Sequence, residues 1–341
     1  MFPVVRTMYK IAVIPGDGIG NEVVPAALKV LESTGILFDF HHIDVGLEVY
    51  RKTGVAVPDE AIEAIKENDA CLFGATTTPV GGGDYKSATL TLRRALNVYA
   101  NVRPAKSYPV EGTRQGVDLI VLRENTEGLY SGIEFESEGA AYTLRVITRK
   151  ASERIARFGY ELAMKRRRKV TVVTKANIMR KTGGLFRETA LGVAEEYPDV
   201  EVNELLIDVA AMRLVMSPEA FDVIVAPNLF GDILSDEAAG LIGGLGMAPS
   251  ANVGDDYGLF EPVHGSAPDI AGKGIANPIA AILSAKMMLD HLGEGVWATR
   301  IEEAVVSVLR DGEYLTPDLG GSSSTDELAE AIVEAMAQKA S

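Results

Sequence analysis

Short apolar runs that alternate with helical segments constrain the fold of this chain more than any other feature. The runs are almost entirely apolar and lie at residues 11–14, 70–73, 119–122, 170–173 and 223–225. Such runs are typical of strands buried on both faces of a sheet. Segments with helical periodicity lie between and after the later runs, for example at residues 151–165 and 278–292. Strands that alternate with helices predict an α/β fold.

Length and composition exclude several classes of protein. The 341 residues are 47% hydrophobic and 24% charged, which suits one large domain or two ordinary ones and excludes disorder. A formal charge of −15 argues against nucleic-acid and membrane partners. Residues 1–10 are too short for a secretory segment, and no apolar run is long enough to span a bilayer. The single cysteine, Cys71, excludes a disulfide framework, so we expect a cytoplasmic protein.

A glycine cluster, GDGIGN at residues 16–21, follows the first predicted strand and precedes a helix expected at about residues 22–33. The Rossmann dinucleotide fingerprint requires a third glycine three residues after the second. That position is Asn21, so the spacing argues against the fingerprint. A tight turn that needs a positive φ explains the glycines at least as well.

Arginines form a second cluster, with Arg93 and Arg94 followed by Arg103 and Arg123. A guanidinium group binds a carboxylate through two hydrogen bonds, so converging arginines would hold a substrate with two or more carboxylates. Ordinary surface arginines are the alternative.

Two aspartates, Asp232 and Asp236, would lie one turn apart on one face of a helix, with Asp208 upstream. Mg²⁺ or Mn²⁺ would neutralise their repulsion, because both cations prefer carboxylate oxygens. A first helical turn enriched in acids is the alternative.

The stretch 264–278 is rich in glycine and proline and is predicted to be an ordered loop that a ligand can approach closely. Asp269 would accept hydrogen bonds from a ribose diol and repel a 2′-phosphate, which favours NAD over NADP. His264 could equally be a structural histidine.

Three further features are less specific. Lys175 follows an apolar run, where burial could lower its pKa to that of a general base, although most lysines at strand ends are solvated. Tyr130 alone indicates little. Residues 132–148 alternate loosely around Gly139 and are predicted to form an antiparallel hairpin or arm that contacts another subunit.

Together these segments resemble the β-decarboxylating dehydrogenases, a family that includes isocitrate, homoisocitrate and 3-isopropylmalate dehydrogenases. The segments that carry the resemblance are IPGDGIG at 14–20, residues 92–104 with YANVRP at their end, RENTEGLY at 123–130, KAN at 175–177, NLFGDILSD at 228–236, and the loop 264–278. The resemblance implies a two-domain α/β fold that is not a Rossmann fold, with a dimerisation arm. Residues 1–98 and 243–341 would form the large, cofactor-binding domain. Residues 99–242 would form the small domain, with the metal carboxylates and the dimer interface.

The resemblance also implies roles for individual residues in a homodimer, or a higher oligomer, with shared active sites. The residues implied to bind substrate are Ser87, Thr89, Arg93, Arg103 and Arg123. The implied acid–base pair is Tyr130 with the partner subunit's Lys175. The implied ligands of Mg²⁺ or Mn²⁺ are Asp232, Asp236 and the partner subunit's Asp208. The residues implied to bind NAD are Thr78, Asn177, His264, Gly265, Ser266, Ala267, Asp269, Ile270 and Asn277. NADP-dependent members generally carry Lys-Tyr where this chain has Asp269 and Ile270.

The implied reaction is the NAD-dependent oxidative decarboxylation of a 3-substituted malate, and the loop 76–90 would choose the substituent. Tyr85, Lys86, Ser87 and Thr89 offer hydroxyl and cationic partners for a γ-carboxylate, whereas an isopropyl group would need an apolar wall. Leu90 is the large apolar residue beside them. We therefore favour isocitrate or homoisocitrate over 3-isopropylmalate, the substrate in leucine biosynthesis, with broad specificity as a further alternative. A non-catalytic subunit is disfavoured because every implied catalytic residue is present.

Overall fold

The computed structural model describes residues 8–81 and 83–338, which form two compact units. The first unit takes its described residues from Met1–Asn97, Tyr108–Gly112 and Leu245–Ser341, and the second takes them from Val98–Ser107 and Thr113–Gly244. The expectations for residues 1–7, and Gly82 of the loop 76–90, lie outside the described residues. The predicted division into a cofactor-binding domain and a metal-binding domain stays a prediction.

Strands and helices alternate along the described chain. The strands are β1 (Met8–Gly16), β2 (Leu37–His42), β3 (Ala70–Ala75), β4 (Ala100–Lys106), β5 (Asp118–Glu124), β6 (Glu134–Ser137), β7 (Ala140–Thr143), β8 (Lys169–Thr174), β9 (Glu201–Leu206), β10 (Val223–Ala226), β11 (Pro249–Val253) and β12 (Gly258–Pro262). The helices are α1 (Gly20–Glu32), α2 (Leu47–Thr53), α3 (Asp59–Lys66), α4 (Ala88–Ala95), α5 (Arg149–Met164), α6 (Thr182–Val193), α7 (Ile207–Met216), α8 (Asn228–Leu241), α9 (Ile279–His291), α10 (Gly295–Asp311) and α11 (Thr325–Gln338). Each apolar run named above lies in a strand, and the predicted α/β class is confirmed.

In the first unit the strand order is β2-β1-β3-β12-β11. β1 is parallel to β2 and β3, β12 is parallel to β3, and β11 is antiparallel to β12. Every residue of β3 is buried, which explains its continuous apolar sequence. Helices α1, α9, α10 and α11 pack together, and α9 also covers β11 and β12.

In the second unit the strand order is β4-β5-β10-β8-β9, with β4 antiparallel to β5 and the other pairs parallel. The register pairs Ala226 at the end of β10 with Arg123 near the end of β5. It also pairs Thr174 at the end of β8 with Leu206 at the end of β9. Arg123 therefore lies near the carboxyl end of β5, and Lys175, Asp208 and the start of α8 follow the carboxyl ends of β8, β9 and β10, which is where α/β sheets bind ligands.

The predicted hairpin within residues 132–148 is confirmed. β6 and β7 pair antiparallel across a tight turn in which Glu138 and Gly139 both have positive φ, 52° and 77°. Both strands are exposed, and the rings of Phe135 and Tyr142 stack at 4.8 Å between centroids. Subunit contact through this arm stays a prediction.

The glycine cluster forms a tight turn, as its spacing suggested. Gly16 and Gly18 have φ values of 77° and 58°, and a Cβ on Gly18 would overlap the carbonyl oxygen of Ser266. α1 begins at Gly20, two residues earlier than expected. Among the described residues, no helix is both long enough and apolar enough to cross a bilayer.

Candidate active site

Arg103 and Arg123 converge on the carboxylate of Asp232 in the second unit. The Nη1 atom of Arg103 lies 3.1 Å from Asp232 Oδ1, and Nη1 of Arg123 donates to the same oxygen. Both arginines are buried, and Arg123 is only 2% exposed. The surface alternative is therefore wrong for these two residues, because a buried guanidinium group needs a fixed anionic or polar partner.

Asn228, the first residue of α8, holds the other edge of Arg123. Its Oδ1 accepts hydrogen bonds from Nε and Nη2 of Arg123 at 3.0 and 2.7 Å, and its Nδ2 donates to the carbonyl of Glu127 at 2.9 Å. A Cβ on Gly231 would lie 2.6 Å from the Cβ of Arg123, so glycine lets the helix approach this closely. Sequence reasoning did not assign a role to Asn228. Its place four residues before Asp232, and so on the same helix face, was the available signal.

Asp232 and Asp236 lie on one face of α8, as predicted. The helix has no acid in its first turn, so the alternative of an acid-enriched helix start is wrong. Arg103 connects the two carboxylates, because its Nη1 also lies 3.3 Å from Asp236 Oδ1 and 2.8 Å from Ser235 Oγ. Burial raises the pKa of Asp236 above its ordinary value, although Arg103 opposes this shift.

Tyr130 joins the same cluster. Its hydroxyl donates to Asp232 Oδ2 at 2.5 Å, and its ring lies 5.0 Å from the guanidinium carbon of Arg123. Burial, followed by the hydrogen bond and the charge of Asp232, raises the pKa of Tyr130 above its ordinary value. The phenol is therefore protonated at neutral pH, and its proton is directed at a defined oxygen.

Lys175 and Asp208 form a separate pair, with Nζ 2.5 Å from Oδ1. Lys175 follows β8, and its side chain is 25% exposed, so it is neither fully buried nor freely solvated. The lysine hydrogen bond lowers the pKa of Asp208. The resemblance assigns both residues to the partner's active site, and their contact means that they would enter it together.

The oxygen donors on α8 suit a hard divalent cation. Asp232 and Asp236 present carboxylates one helical turn apart, and the side chain of Asp236 is half exposed. No group of three His, Cys, Asp or Glu side chains within residues 8–81 and 83–338 is arranged to hold a metal. One chain alone thus does not bring Asp208 to the other two aspartates, and the complete ligand set stays a prediction that requires the partner.

Arg93 lies in the first unit and binds Glu261, with Nη2 2.6 Å from Oε1. Both side chains are buried, and Glu261 also accepts a hydrogen bond from Asn252 at 2.7 Å. Arg94 beside it is exposed. Convergence of Arg93 with the other two arginines stays a prediction.

The predicted substrate loop is partly held by its own hydroxyl groups. Thr89 Oγ1 lies 3.0 Å from Thr76 Oγ1, and Ser87 immediately precedes α4 without capping it through its side chain. The Tyr85 ring contacts Tyr50 edge-on at 4.9 Å, and its hydroxyl is buried without a hydrogen-bond partner among the described residues. Leu90 is half-buried.

Residues 264–278 form an ordered loop, as expected, and His264 in this loop has a ring nitrogen without a hydrogen-bond partner among the described residues. Nδ1 of His264 lies 2.9 Å from the Gly265 carbonyl, and its buried Nε2 has no partner in the described part of the chain. Burial lowers the pKa of His264. Asp269 is exposed. A neutral imidazole and an accessible carboxylate fit the adenine and ribose of a dinucleotide.

The remaining predicted cofactor residues occupy different environments. Thr78 and Asn177 are exposed, as is Gly265, whereas Ala267 and Ile270 are half-buried. Ser266 is buried, and its Oγ lies 2.6 Å from Thr77 Oγ1. Asn277 is already engaged, because its Nδ2 donates to Asp318 and its Oδ1 accepts from the backbone of Ile279.

Known proteins that are similar to this chain over nearly its whole length are dehydrogenases. A family model described as isocitrate/isopropylmalate dehydrogenase matches residues 10–332. The chain is 54% identical to the isocitrate/homoisocitrate dehydrogenase of Thermus thermophilus over 332 residues, covering 96% of this chain and 98% of that protein. It is 52% identical to the 3-isopropylmalate/3-methylmalate dehydrogenase of Methanocaldococcus jannaschii, covering 96% and 98%. The crystal structure of isocitrate dehydrogenase from Methylococcus capsulatus matches with a TM-score of 0.93 and 51% identity, covering 96% of this chain and 99% of that one.

Proposed function

This chain belongs to the isocitrate/isopropylmalate dehydrogenase family, and from that premise we propose that it oxidises and decarboxylates a 3-substituted malate with NAD and Mg²⁺ or Mn²⁺. The predicted family and its class, a decarboxylating dehydrogenase, are confirmed. The cluster of Arg103, Arg123, Asp232 and Asp236 is the observation that carries the proposal. Its charges cancel, so a divalent cation would leave a double positive charge that matches two substrate carboxylates.

Asp232, Asp236 and the partner subunit's Asp208 would hold the cation, which would supply stabilisation of negative charge on the C2 oxygen, and bound NAD would supply the hydride acceptor. Lys175 of the partner subunit would accept the proton of the C2 hydroxyl as the hydride leaves. The β-carboxylate then departs as CO₂, and its bonding electrons remain on C3. Tyr130, whose proton is directed by Asp232, donates that proton to C3. The arginines orient the carboxylates throughout.

Isocitrate or homoisocitrate is the substrate that the loop 76–90 favours. Hydroxyl groups of Ser87 and Thr89 and the ammonium group of Lys86 can bind a γ-carboxylate, whereas the Tyr85 hydroxyl is buried. The half-buried Leu90 favours 3-isopropylmalate as the second candidate. A relative named for isocitrate and homoisocitrate and a relative named for 3-isopropylmalate are each more than 50% identical to this chain.

A substrate panel tests the proposed reaction. Reduction of NAD and of NADP is followed with isocitrate, homoisocitrate, 3-isopropylmalate and unsubstituted malate, with Mg²⁺ or Mn²⁺ and with a chelator as control. We expect the highest kcat/KM with isocitrate or homoisocitrate, NAD preferred to NADP, and no turnover in chelator. Turnover of none of these acids would refute the reaction, and a clear preference for 3-isopropylmalate would replace the favoured substrate by the second candidate.

A homodimer with shared sites completes the proposal. Met212, Val215 and Met216 on α7 and Ile233 on α8 are exposed apolar residues, and contiguous exposed apolar surface marks association sites. Mixing inactive Lys175→Ala and Asp232→Asn chains tests the sharing, because each mixed dimer would contain one intact site. Random reassortment should restore about a quarter of wild-type activity. Absence of any restoration in a verified mixed dimer would contradict a shared site.

A further inference from the structure

Asp17, in the glycine turn between β1 and α1, is a buried carboxylate that the proposed reaction does not use. It is 6% exposed, and no ion pair holds it within the described residues. Its oxygens accept hydrogen bonds from the backbone N–H of Leu47 at 3.0 and 3.1 Å and from that of Thr77 at 2.8 Å. Its own N–H donates to the carbonyl of Ala75 at 2.6 Å. One side chain therefore joins the turn to two other segments of the first unit.

The same turn also reaches the loop 264–278. The N–H of Ile19 donates to the carbonyl of Ser266 at 2.9 Å, where a Cβ on Gly18 would not fit. The Ser266 hydroxyl lies 2.6 Å from the hydroxyl of Thr77, whose N–H is bound by Asp17. The turn, Thr77 and Ser266 thus form a closed ring of hydrogen bonds. Thr78 and Gly265, both assigned to the cofactor, are the neighbours of the two hydroxyl residues.

We infer that Asp17 is a positioning residue that sets the spacing between Thr78 and the loop at Gly265, and with it the fit of the dinucleotide. This inference rests on the proposed function, because it assumes that both segments contact NAD. The buried carboxylate suits this role, since hydrogen bonds to a charged acceptor are about twice as strong as neutral ones. Glycines at 16 and 18 allow the backbone approach that the ring requires.

Asp17→Asn tests the inference with little change in shape. The amide removes the charge and turns one acceptor into a donor that faces a backbone N–H. Asp69→Asn is the control, because Asp69 Oδ2 also accepts a backbone N–H, that of Lys10 at 2.8 Å. Asp69 is exposed and precedes β3, whereas Asp17 and Thr77 follow the carboxyl ends of β1 and β3. Dissociation constants for NADH are measured on the full chain by nucleotide fluorescence without hydroxy acid, together with thermal melting of each variant.

We expect Asp17→Asn to weaken NADH binding about tenfold and Asp69→Asn to change it by less than about twofold. Thr77→Val, which keeps the carboxylate but breaks the link to Ser266, should weaken binding about threefold and keeps the test valid if Asp17→Asn does not fold. An unchanged NADH affinity in folded Asp17→Asn or Thr77→Val, or equal losses in Asp17→Asn and Asp69→Asn, would overturn the inference. Failure of the wild-type chain to bind NADH would instead refute the proposed function.

Discussion

The candidate site residues of the two units are held in place by different kinds of interaction. In the second unit, charged side chains hold one another, with Asp232 at the centre of Arg103, Arg123 and Tyr130. In the first unit, the buried pair Arg93 and Glu261 is of the same kind, but the predicted cofactor residues are held mainly by backbone N–H and carbonyl groups around Asp17 and Ser266. A cluster of charges can bind anions and move protons, whereas a backbone framework can shape a surface for a planar nucleotide. Substitutions in the second unit should therefore affect catalysis most, and those in the first unit mainly nucleotide binding.

Lys175→Ala should give the largest effect. Loss of the proposed base should lower kcat by about 10²- to 10⁴-fold while NADH binding is retained, because general acid–base groups contribute on that scale. Lys169→Ala is the control, since Lys169 begins the same strand and pairs with Glu201 at 3.3 Å. Steady-state kinetics on both variants test whether Lys175 is the base, and a near-normal kcat in Lys175→Ala would contradict that role.

Asn228→Ala should give the next largest effect, on substrate affinity. Arg123 would lose two hydrogen bonds to Oδ1 and become free to turn from its present orientation. We expect KM for the hydroxy acid to rise about tenfold to a hundredfold, with a smaller change in the NADH dissociation constant. Asn203→Ala on β9 is the control, because the Asn203 Oδ1 atom is buried without a hydrogen-bond partner among the described residues. Equal effects of the two variants would show that Asn228 does not orient Arg123.

His264 should make stability depend on pH. Because burial lowers its pKa in the folded chain, the unfolded chain takes up a proton near pH 6.5 while the folded chain does so only at lower pH. The free energy of unfolding should therefore fall as pH decreases below about 6.5, by at most about 1.4 kcal/mol per pH unit from this group. Denaturant unfolding of the wild type and of His264→Gln between pH 5 and 8 measures the difference. Identical pH profiles would contradict a buried neutral imidazole.

Glu22→Gln should give the smallest effect. Its Oε1 accepts the backbone N–H of Gly272 at 2.6 Å, so it anchors the loop 264–278 from α1. A neutral acceptor in its place should weaken NADH binding by about threefold or less and leave kcat unchanged. Glu32→Gln, at the end of the same helix and exposed, should change neither value. A large loss of kcat in Glu22→Gln would break the contrast between the two units.

Much of the architecture is predictable because it depends on local pattern. The runs at 70–73 and 223–225 are continuous and apolar, and they form strands that are buried throughout. The strand at Leu37–His42 escaped prediction, because its half-exposed residues show neither a continuous run nor a clean alternation. The short antiparallel strands β11 and β12 were not predicted either, because their sequences show little apolar periodicity.

The sequence by itself determined the α/β class, the family, the spacing of Asp232 and Asp236 on one helix face, and the turn at the glycines. The turn and the helix face follow from residues near one another in the chain, where spacing alone sets geometry, whereas the class and the family follow from short segments that recur along most of the chain. Only the tertiary structure decided which anion each arginine meets. Arg93 pairs with Glu261, while Arg103 and Arg123 share Asp232 and leave Asn228 to orient one of them. Those partners lie more than a hundred residues apart, and only the sheet register and the approach of α8 bring them within hydrogen-bond distance.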